Sequence, residues 1–466
     1  MFVSTDNQIN YPYAQVRKEN RDEGIREEGV YLFILFYLLL FFLMKLETYN
    51  WDNYYAQVVS LPEIRNVEGL DNLWVVTIFG YNCLVGKDSP TWEFNKYLFF
   101  PAESVLSKEF LRRNNLYRET SYNLDNTKKG FFEPSGRVKA IKFKGIVSSG
   151  FVIGISSLHS FCDINKLNKW DTFNRIDWEE ICKKFTKPLP KTNDWKSKAI
   201  RRIEKFDIII PNQFRFHADT PQFLRFLSDF KEGDRIVITE KFHGTSAVYS
   251  NVMTRTKMRP IERVARWLWV RVKDTEYYQL YSSRKVIKNS EIKDEKNGAH
   301  GFYWEDVWGK WAKALEGKIE KGITLYWEIV GYTESGKQIQ SWYNYGCKYW
   351  ESKFYCYRIT YTTPDGNVIE FTDSQIRQYC KLREIEVVPL IEWFTWSEFT
   401  KYKDFALWLG IEEMCSMNDK KVPREWVVIR KDGKETYSAY KLKSQLFLLH
   451  ESKVIDEGGE DLESNS

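Results

Sequence analysis

The residues with the clearest chemical potential form the stretch Glu240-Lys241-Phe242-His243-Gly244. An apolar, β-rich run, residues 235–239, delivers the lysine, and a tight turn follows it. A lysine at a junction of strand and turn, beside a glycine, is where a nucleophilic amine could meet a phosphate. Taken alone this stretch is a weak signal, because an ordinary hairpin turn also explains it.

Five further segments, all downstream of Lys241, place single charged or aromatic residues in or beside strand-like runs. In order they contain Arg284, Glu328, Tyr357, Glu425, and the pair Lys441 and Lys443. Residues two apart in a strand point to the same side, so the two lysines share one face. Each segment alone has a structural explanation, such as an edge-strand charge or a surface lysine. Their joint occurrence in this order is hard to explain as accident.

Nucleotide chemistry explains the set. A lysine that attacks the α-phosphate of a nucleoside triphosphate must be neutral, so its pKa must be lowered by neighbouring positive charge and partial desolvation. Lys441, Lys443 and a metal ion could supply that charge and also neutralise charge on the phosphoryl oxygens. Glu328 and Glu425 are hard oxygen donors suited to Mg²⁺ or Mn²⁺.

Two further residues suit the rest of a nucleotide. Arg284 can fork onto a ribose or a phosphate, and Tyr357 can stack on a purine. With these included, the order of segments resembles motifs I, Ia, III, IIIa, IV and V of the covalent nucleotidyltransferases, which comprise DNA ligases, RNA ligases and mRNA capping enzymes. The resemblance is closest to ATP-dependent RNA ligases, because His243 stands where the other two groups usually carry Asp.

The resemblance implies a three-step reaction. A lysine attacks ATP to give lysyl-AMP, the AMP passes to an RNA 5′-phosphate, and the RNA 3′-OH displaces it. The resemblance implies that Lys241 is the nucleophile, that His243 and Gly244 form the phosphate turn, and that Glu240 lies near the nucleotide. It also implies that Arg284 and Glu328 contact the AMP sugar or the metal, and that Glu425 binds the metal. Lys441 and Lys443 would bind the α-phosphate. Two departures stand out: Trp426 replaces the usual glycine after Glu425, and Arg255 competes with Arg284 for motif Ia.

The N-terminal half shows a different pattern. Over residues 51–160 about five strand-like runs are separated by glycines, which predicts an OB-like β-barrel that binds nucleic acid. The segments 80–86 and 145–150 resemble the N-terminal domain of RNA ligase family 5, the nick-sealing type. A cationic strand and turn in this region is either a phosphate-tracking surface or a solvated face, and it contains Arg137, Lys139, Lys142 and Lys144.

The fold class predicted is α+β, with the OB-like barrel followed by an antiparallel-sheet nucleotidyltransferase domain of the ATP-grasp-like ligase type. The predicted boundaries are an extension at 1–50, the barrel at 51–160, a basic linker at 161–206, the adenylyltransferase domain at 207–452 and an acidic disordered tail at 453–466. The extension contains an apolar run, residues 30–44. That run is a short membrane anchor, a buried helix, or translated upstream sequence ahead of a start at Met44.

Composition narrows the class of protein further. The net charge of +5 over 466 residues predicts a local patch for nucleic acid rather than a whole-protein field. Seven scattered cysteines without a Cys-x-x-Cys pair indicate a reducing compartment and no zinc site. We therefore expect an intracellular, soluble monomer without a stable protein partner.

The function predicted is an ATP-dependent RNA ligase that uses Mg²⁺ or Mn²⁺ and joins RNA 3′-OH and 5′-phosphate ends. The expected partner is RNA or a nicked duplex that contains RNA. One alternative is a capping-type guanylyltransferase that uses GTP. A second alternative, from a different class, is a catalytically inactive OB-fold protein that binds nucleic acid.

Overall fold

The computed structural model describes residues 44–49, 53–60, 64–87, 96–186, 208–256, 259–288, 303, 305–396, 416–422 and 424–457. Residues 30–43 of the apolar run, residues 187–206 of the expected linker and residues 458–466 of the expected tail lie outside this part of the chain. Within it, no helix combines the length and the apolarity that crossing a bilayer requires. The features below all belong to one compact unit, Leu46–Ser466.

The regular structure of the N-terminal part consists mainly of short antiparallel strands. Its described strands are β1 (Leu46–Glu47), β2 (Ala56–Val59), β3 (Ile64–Arg65), β4 (Leu73–Ile78), β5 (Tyr81–Gly86), β6 (Tyr97–Pro101), β7 (Ser104–Leu106), β8 (Ile141–Phe143), β9 (Ile146–Ser148), β10 (Gly150–Gly154), β11 (Thr172–Phe173), β12 (Arg175–Ile176), β13 (Glu179–Glu180) and β14 (Cys182–Lys184). One α-helix, α1 (Lys108–Arg113), and three 3₁₀ helices, Thr120–Tyr122, Ile155–Leu158 and Ile164–Lys166, accompany them.

These strands form several small sheets. Their orders are β10-β6-β2-β11, β3-β4-β5, β1-β12-β13, β14-β7 and β8-β9. Among the described residues the sheets do not close into the barrel that the glycine spacing predicts. Glycine spacing marks where strands turn, whereas closure depends on pairing between strands that are distant in the chain.

The N-terminal part extends past residue 160, where the sequence predicts a linker. Strand β11 pairs with β2 through Thr172 and Gln57, and β14 pairs with β7 through Cys182 and Leu106. The basic composition of this segment hides its two-residue and three-residue strands, which are anchored by single buried side chains such as Cys182. Residues 161–186 are therefore folded onto the N-terminal sheets.

The C-terminal part contains longer strands and four α-helices in the described residues. The strands are β15 (Arg235–Lys241), β16 (Thr245–Arg255), β17 (Thr275–Ser282), β18 (Ile287–Lys288), β19 (Ile323–Gly331), β20 (Ser352–Thr362), β21 (Val368–Glu370), β22 (Leu390–Thr395), β23 (Trp426–Lys431) and β24 (Ala439–Lys443). The helices are α2 (Pro260–Trp267), α3 (Val307–Ala314), α4 (Asp373–Lys381) and α5 (Gln445–Asp456), with 3₁₀ helices at Phe223–Arg225 and Leu227–Asp229.

Two antiparallel sheets organise this part. The larger has the order β18-β17-β16-β19-β20-β21, and the smaller has the order β22-β15-β23-β24. Strand β19 is buried along its whole length, which explains why it reads as a continuous apolar run around Glu328. The mixture of helices with antiparallel sheets agrees with the predicted α+β class.

Helix α5 begins directly after β24 and runs to Asp456, so the helix continues past the boundary of 452 expected from the sequence. Ser444 caps it, since its side chain accepts a hydrogen bond from the Phe447 backbone N–H at 3.2 Å. The Gln445 amide donates to the Gly80 carbonyl at 3.0 Å, and the Tyr81 hydroxyl donates to the Lys443 carbonyl at 3.2 Å. The N-terminal sheets therefore contact the chain at the junction of β24 and α5.

Candidate active site

Lys241 ends strand β15, and the register of the smaller sheet places it among charged neighbours. Lys241 lies opposite Trp426 of β23, and Trp426 in turn lies opposite Lys443 of β24. The Lys241 ammonium lies 3.0 Å and 3.3 Å from the two carboxylate oxygens of Glu425, whose side chain is almost fully buried. His243 Nδ1 is 3.4 Å from the same carboxylate. One buried carboxylate thus pairs with Lys241 and lies close to the His243 ring.

The turn after Lys241 depends on close approach between two strands. The Gly244 N–H donates to Glu328 Oε1 at 3.2 Å, and the Gln340 amide donates to the Gly244 carbonyl at 3.0 Å. A Cβ atom at Gly244 would lie 2.2 Å from the Ile329 carbonyl oxygen. Only glycine allows β19 to come this near, so the turn and Glu328 are positioned together.

Trp426 occupies the centre of a group of lysines. The ammonium groups of Lys441, Lys241 and Lys443 lie 4.2, 4.6 and 5.0 Å from the centre of its rings. The face of an indole attracts cations, and the attraction increases when the groups are shielded from water. Lys443 also forms an ion pair with Glu451 of α5 at 2.6 Å. The large side chain that replaces the expected glycine therefore packs among the lysines.

Glu240, which precedes Lys241, is buried. Its carboxylate accepts a hydrogen bond from the Met417 backbone N–H at 2.9 Å, and the Arg424 guanidinium lies 3.9 Å away. Burial raises the pKa of Glu240 above the ordinary range of a glutamate, against the opposing effect of these partners. Burial therefore moves the titration of Glu240 to higher pH.

A cleft lies beside Lys241 and is lined by residues of both large sheets. Tyr357 of β20 lines the cleft and its hydroxyl is hydrogen-bonded to His217 Nδ1 at 2.7 Å. Arg284 also lines it and pairs with Asp219. Burial opposes ionisation of Asp219, but the Arg284 guanidinium prevails and lowers the pKa of that carboxyl.

The structure brings most of the predicted site together. Six of the predicted residues line the cleft: Glu240, Lys241, Arg284, Glu328, Tyr357 and Lys441. Glu425 and Gly244 contact members of this group, while His243 lies close to Glu425 and Lys443 lies over the Trp426 ring. Arg255 is the alternative to Arg284 for motif Ia, and it lies opposite Thr275 of β17. It stands at the end of β16 that is far from Thr245 and the turn. The geometry therefore favours Arg284 as the arginine of the site.

The four cationic residues predicted to bind nucleic acid are not equivalent. Arg137 is buried and pairs with Glu103 through two hydrogen bonds of 2.7 and 2.8 Å. Lys139 pairs with Asp456 at 3.0 Å. By contrast, Lys142 and Lys144 are exposed. Only the last two therefore lie on a solvent-facing surface of the kind the sequence suggests.

Sequence reasoning missed several residues that the fold adds to the site. His217 and Asp219 come from an irregular segment before β15, and Glu451 comes from α5. No motif marks His217 or Asp219, because they reach the cleft only through the tertiary fold. Glu451 does carry a weak signal, because it follows Lys443 by eight residues and a serine, Ser444, stands between them where a helix could begin, but this spacing is not specific.

The residues present fit a divalent metal that is shared with a ligand. Within the described residues there is no group of three or more His, Cys, Asp or Glu side chains that could hold an ion by themselves. Mg²⁺ and Mn²⁺ usually keep several waters and bind through one or two carboxylates together with substrate phosphates. Glu425 and Glu328 supply carboxylates of this kind beside Lys241 and Gly244.

Comparison with known proteins identifies the class of fold. No family model and no curated protein matches the chain. Among solved structures, the chain is similar to Naegleria gruberi RNA ligase with PPi, at 14% identity and a TM-score of 0.52, over 85% of this chain and 98% of that chain. It is similar to a variant of that ligase with ATP and Mn, at 15% identity and a TM-score of 0.51, over 84% of this chain and 98% of that chain.

The chain thus shares its fold with these RNA ligase structures. The likeness covers most of both chains, so it includes the N-terminal sheets as well as the two large sheets around Lys241. The expected combination of helices with antiparallel sheets is confirmed, whereas the OB-like barrel is not. The closer resemblance to family 5 stays a prediction.

Proposed function

We propose that this protein is an ATP-dependent RNA ligase that acts through a lysyl-AMP intermediate. The observation that carries the proposal is the position of Lys241, whose amine lies beside the Glu425 carboxylate and lines a cleft together with Arg284 and Tyr357. The order of motifs in the sequence and the fold shared with RNA ligases support the same conclusion.

In the first step, Lys241 Nζ attacks the α-phosphorus of ATP, a P–N bond forms and pyrophosphate leaves. The lysine must lose a proton before it can attack. Glu425, with an oxygen 3.0 Å from the Lys241 nitrogen, is placed to take that proton. The ammonium groups of Lys441 and Lys443 stabilise the negative charge that develops on the phosphoryl oxygens.

The remaining cleft residues orient the nucleotide. Tyr357 offers an aromatic face to the purine, and its hydrogen bond to His217 holds the ring in place. Arg284, braced by Asp219, is placed to bind the ribose or a phosphate. Glu328 and Glu425 would hold a divalent metal, which neutralises phosphate charge when bound.

In the following steps the AMP passes to an RNA 5′-phosphate, and the 3′-OH of a second RNA end displaces it to form a phosphodiester bond. The N-terminal sheets, which we propose act as the OB-like nucleic-acid module, would hold the duplex. Lys142 and Lys144 are exposed on β8 and the turn that follows it, where they can contact phosphates. This arrangement suits sealing of nicks in a duplex.

The first test measures covalent labelling. The protein is incubated with Mg²⁺ or Mn²⁺ and with ATP or GTP labelled at the α-phosphate, and the label that stays with the protein on a denaturing gel is counted. We expect label from ATP, none from GTP, and none in Lys241→Ala. Lys142→Ala, which changes an exposed lysine outside the cleft, is the matched control and should label normally. Label from GTP alone would indicate a guanylyltransferase, and no label with RNA binding retained would indicate an inactive binding protein.

The second test measures sealing. Nicked duplexes that differ only in RNA or DNA at the 3′-OH end are incubated with ATP and the protein. We expect faster joining when the 3′-OH end is RNA, and no joining in Lys241→Ala. Equal rates on both duplexes would contradict RNA specificity while leaving the lysyl-AMP proposal intact.

A further inference from the structure

A group of large apolar side chains is exposed around helix α2, at a distance from the cleft. We call it the α2 patch. Within ten consecutive positions, six such side chains are more than half exposed: Ile261, Val264, Trp267, Leu268, Trp269 and Val270. Trp269 is 96% exposed, and no residue of α2 is buried. Contiguous apolar surface of this kind usually marks an interaction site.

The patch belongs to an amphipathic segment with a strongly basic opposite side. On a helix, Ile261, Val264 and Leu268 fall on one side, at the spacing i, i+3, i+7, while Arg263 and Arg266 fall on the other. Residues 259–274 contain five basic and two acidic side chains, a net charge of +3, against +5 for the whole chain. More than half of the net positive charge therefore lies in this one segment.

The location of the segment keeps it away from the proposed chemistry. It connects the end of β16 at Arg255 with the start of β17 at Thr275. The other end of β16, at Thr245, lies next to the turn that holds Gly244. An eleven-residue strand spans roughly 33 Å between its ends, at about 3.3 Å a residue. A partner at the α2 patch would thus lie at the far end of the strand from Lys241.

We propose that the α2 patch docks on the surface of an anionic lipid bilayer. Amphipathic helices with Trp and aliphatic residues on one side and arginines on the other lie in the interface between headgroups and acyl chains. The indole rings of Trp267 and Trp269 suit that depth, and the arginines suit anionic headgroups. Helix α2 has eight residues, about 12 Å, so it would lie in the interface and not cross the membrane.

Other partners fit the segment less well. Nucleic acid would use the arginines and the indole rings, but it leaves exposed aliphatic side chains such as Ile261, Val264 and Leu268 without an apolar environment. A second copy of the chain would bring two segments of net charge +3 together, and their repulsion opposes association. A bilayer with anionic headgroups satisfies both the apolar side and the basic side.

The test is co-sedimentation of the full chain with large vesicles of phosphatidylcholine alone or with about one third phosphatidylserine. We expect binding to the anionic vesicles that weakens as salt is raised. The double variant Trp267→Glu/Trp269→Glu should lower the partition coefficient at least about tenfold, because it removes both indole rings and adds two negative charges. The variant Trp178→Glu/Trp350→Glu is the matched control, with the same change in charge at two other exposed tryptophans. It should lower binding much less.

A separate variant tests the basic side. Substitution of Arg259, Arg263 and Arg271 by Gln keeps the apolar side and should reduce binding to anionic vesicles by about fivefold for each arginine. Melting temperatures of all variants should match the parent, since the changed side chains are exposed. Residues 30–44 form a second apolar run in the sequence, and the parent and all variants share it. The α2 patch is therefore tested by the difference in vesicle binding between each variant and the parent.

Several results would overturn the proposal. The parent could fail to bind anionic vesicles, or the Trp267→Glu/Trp269→Glu variant could bind them as well as the parent. A loss of affinity for labelled single-stranded RNA in that variant, without vesicle binding by the parent, would assign the patch to nucleic acid. A parent that sediments as a dimer, with a variant that sediments as a monomer, would assign it to self-association.

Discussion

Arg137 is predicted to bind phosphates by the sequence, but the structure places it in a buried ion pair. A substitution at Arg137 therefore distinguishes the two roles. The sequence places it in a cationic strand that could track phosphates. In the structure its guanidinium forms a bidentate pair with Glu103 and a third contact with Asp456 of α5 at 2.8 Å. The side chains of Arg137 and Glu103 are only 3% and 6% exposed. The pair therefore joins the N-terminal sheets to the C-terminal helix.

The substitution Arg137→Ala should destabilise the protein and leave Glu103 as a buried charge without its arginine. Removal of one partner from a buried ion pair costs about 3–5 kcal/mol, because the remaining charge is uncompensated. At about 2 °C for each kcal/mol in a large protein, the melting temperature should fall by at least about 6 °C. The measurement is thermal unfolding followed by circular dichroism at neutral pH.

Two further variants separate the ion pair from other effects. Lys142→Ala alters an exposed lysine of the same cationic segment and should change stability by less than about 0.5 kcal/mol. The double variant Arg137→Met/Glu103→Gln removes both charges, keeps an acceptor for the Ser452 hydroxyl, and should recover much of the stability lost in Arg137→Ala. An unchanged melting temperature in Arg137→Ala, together with weaker RNA binding, would refute this reasoning.

Three other outcomes follow from the site. Gly244→Ala should abolish adduct formation, because its Cβ would meet the Ile329 carbonyl, whereas Gly86→Ala, with no atom within 4 Å, should be tolerated; an active Gly244→Ala protein would contradict the packing argument. Trp426→Leu should lower the free energy of unfolding by about 1–2 kcal/mol relative to Trp426→Phe, since that is the contribution of a shielded cation–π contact with the lysines. Equal free energies of unfolding would show that the aromatic face is irrelevant. Burial raises the pKa of Glu240. Between the ordinary pKa and the raised pKa, the native state holds a proton that the unfolded chain has released. The free energy of unfolding therefore falls as pH rises over that interval. The melting temperature of Glu240→Gln relative to the parent should therefore rise over that interval, and a constant difference would contradict the shift.

Much of the candidate site could be predicted from the sequence, because its elements are local patterns. Lys241, Glu328 and Glu425 each stand at a recognisable place in or beside an apolar strand, and Lys441 and Lys443 share a face by the two-residue period of a strand. The order of these segments indicates the class of chemistry that we propose, even before their contacts are known. The α+β class with antiparallel sheets follows from the same short-range signals.

Other features depend on residues that are far apart in the chain. Arg137 and Lys142 look alike in the sequence, yet Arg137 is buried by Glu103 and by Asp456, which is 319 positions away, while Lys142 faces solvent. The same holds for the N-terminal sheets, whose glycine spacing does not specify which strands pair. Trp426 comes to lie among three lysines only through the register of three neighbouring strands.

The sequence by itself determined which residues could carry a nucleotidyl group, since local periodicity and residue type decide what a strand or turn can present. The tertiary structure decided which charges are buried and paired, which are exposed, and that His217 and Asp219 complete the cleft. The physical reason is that burial and pairing depend on residues that folding brings together. The order of residues in the chain does not give the distance between them in space.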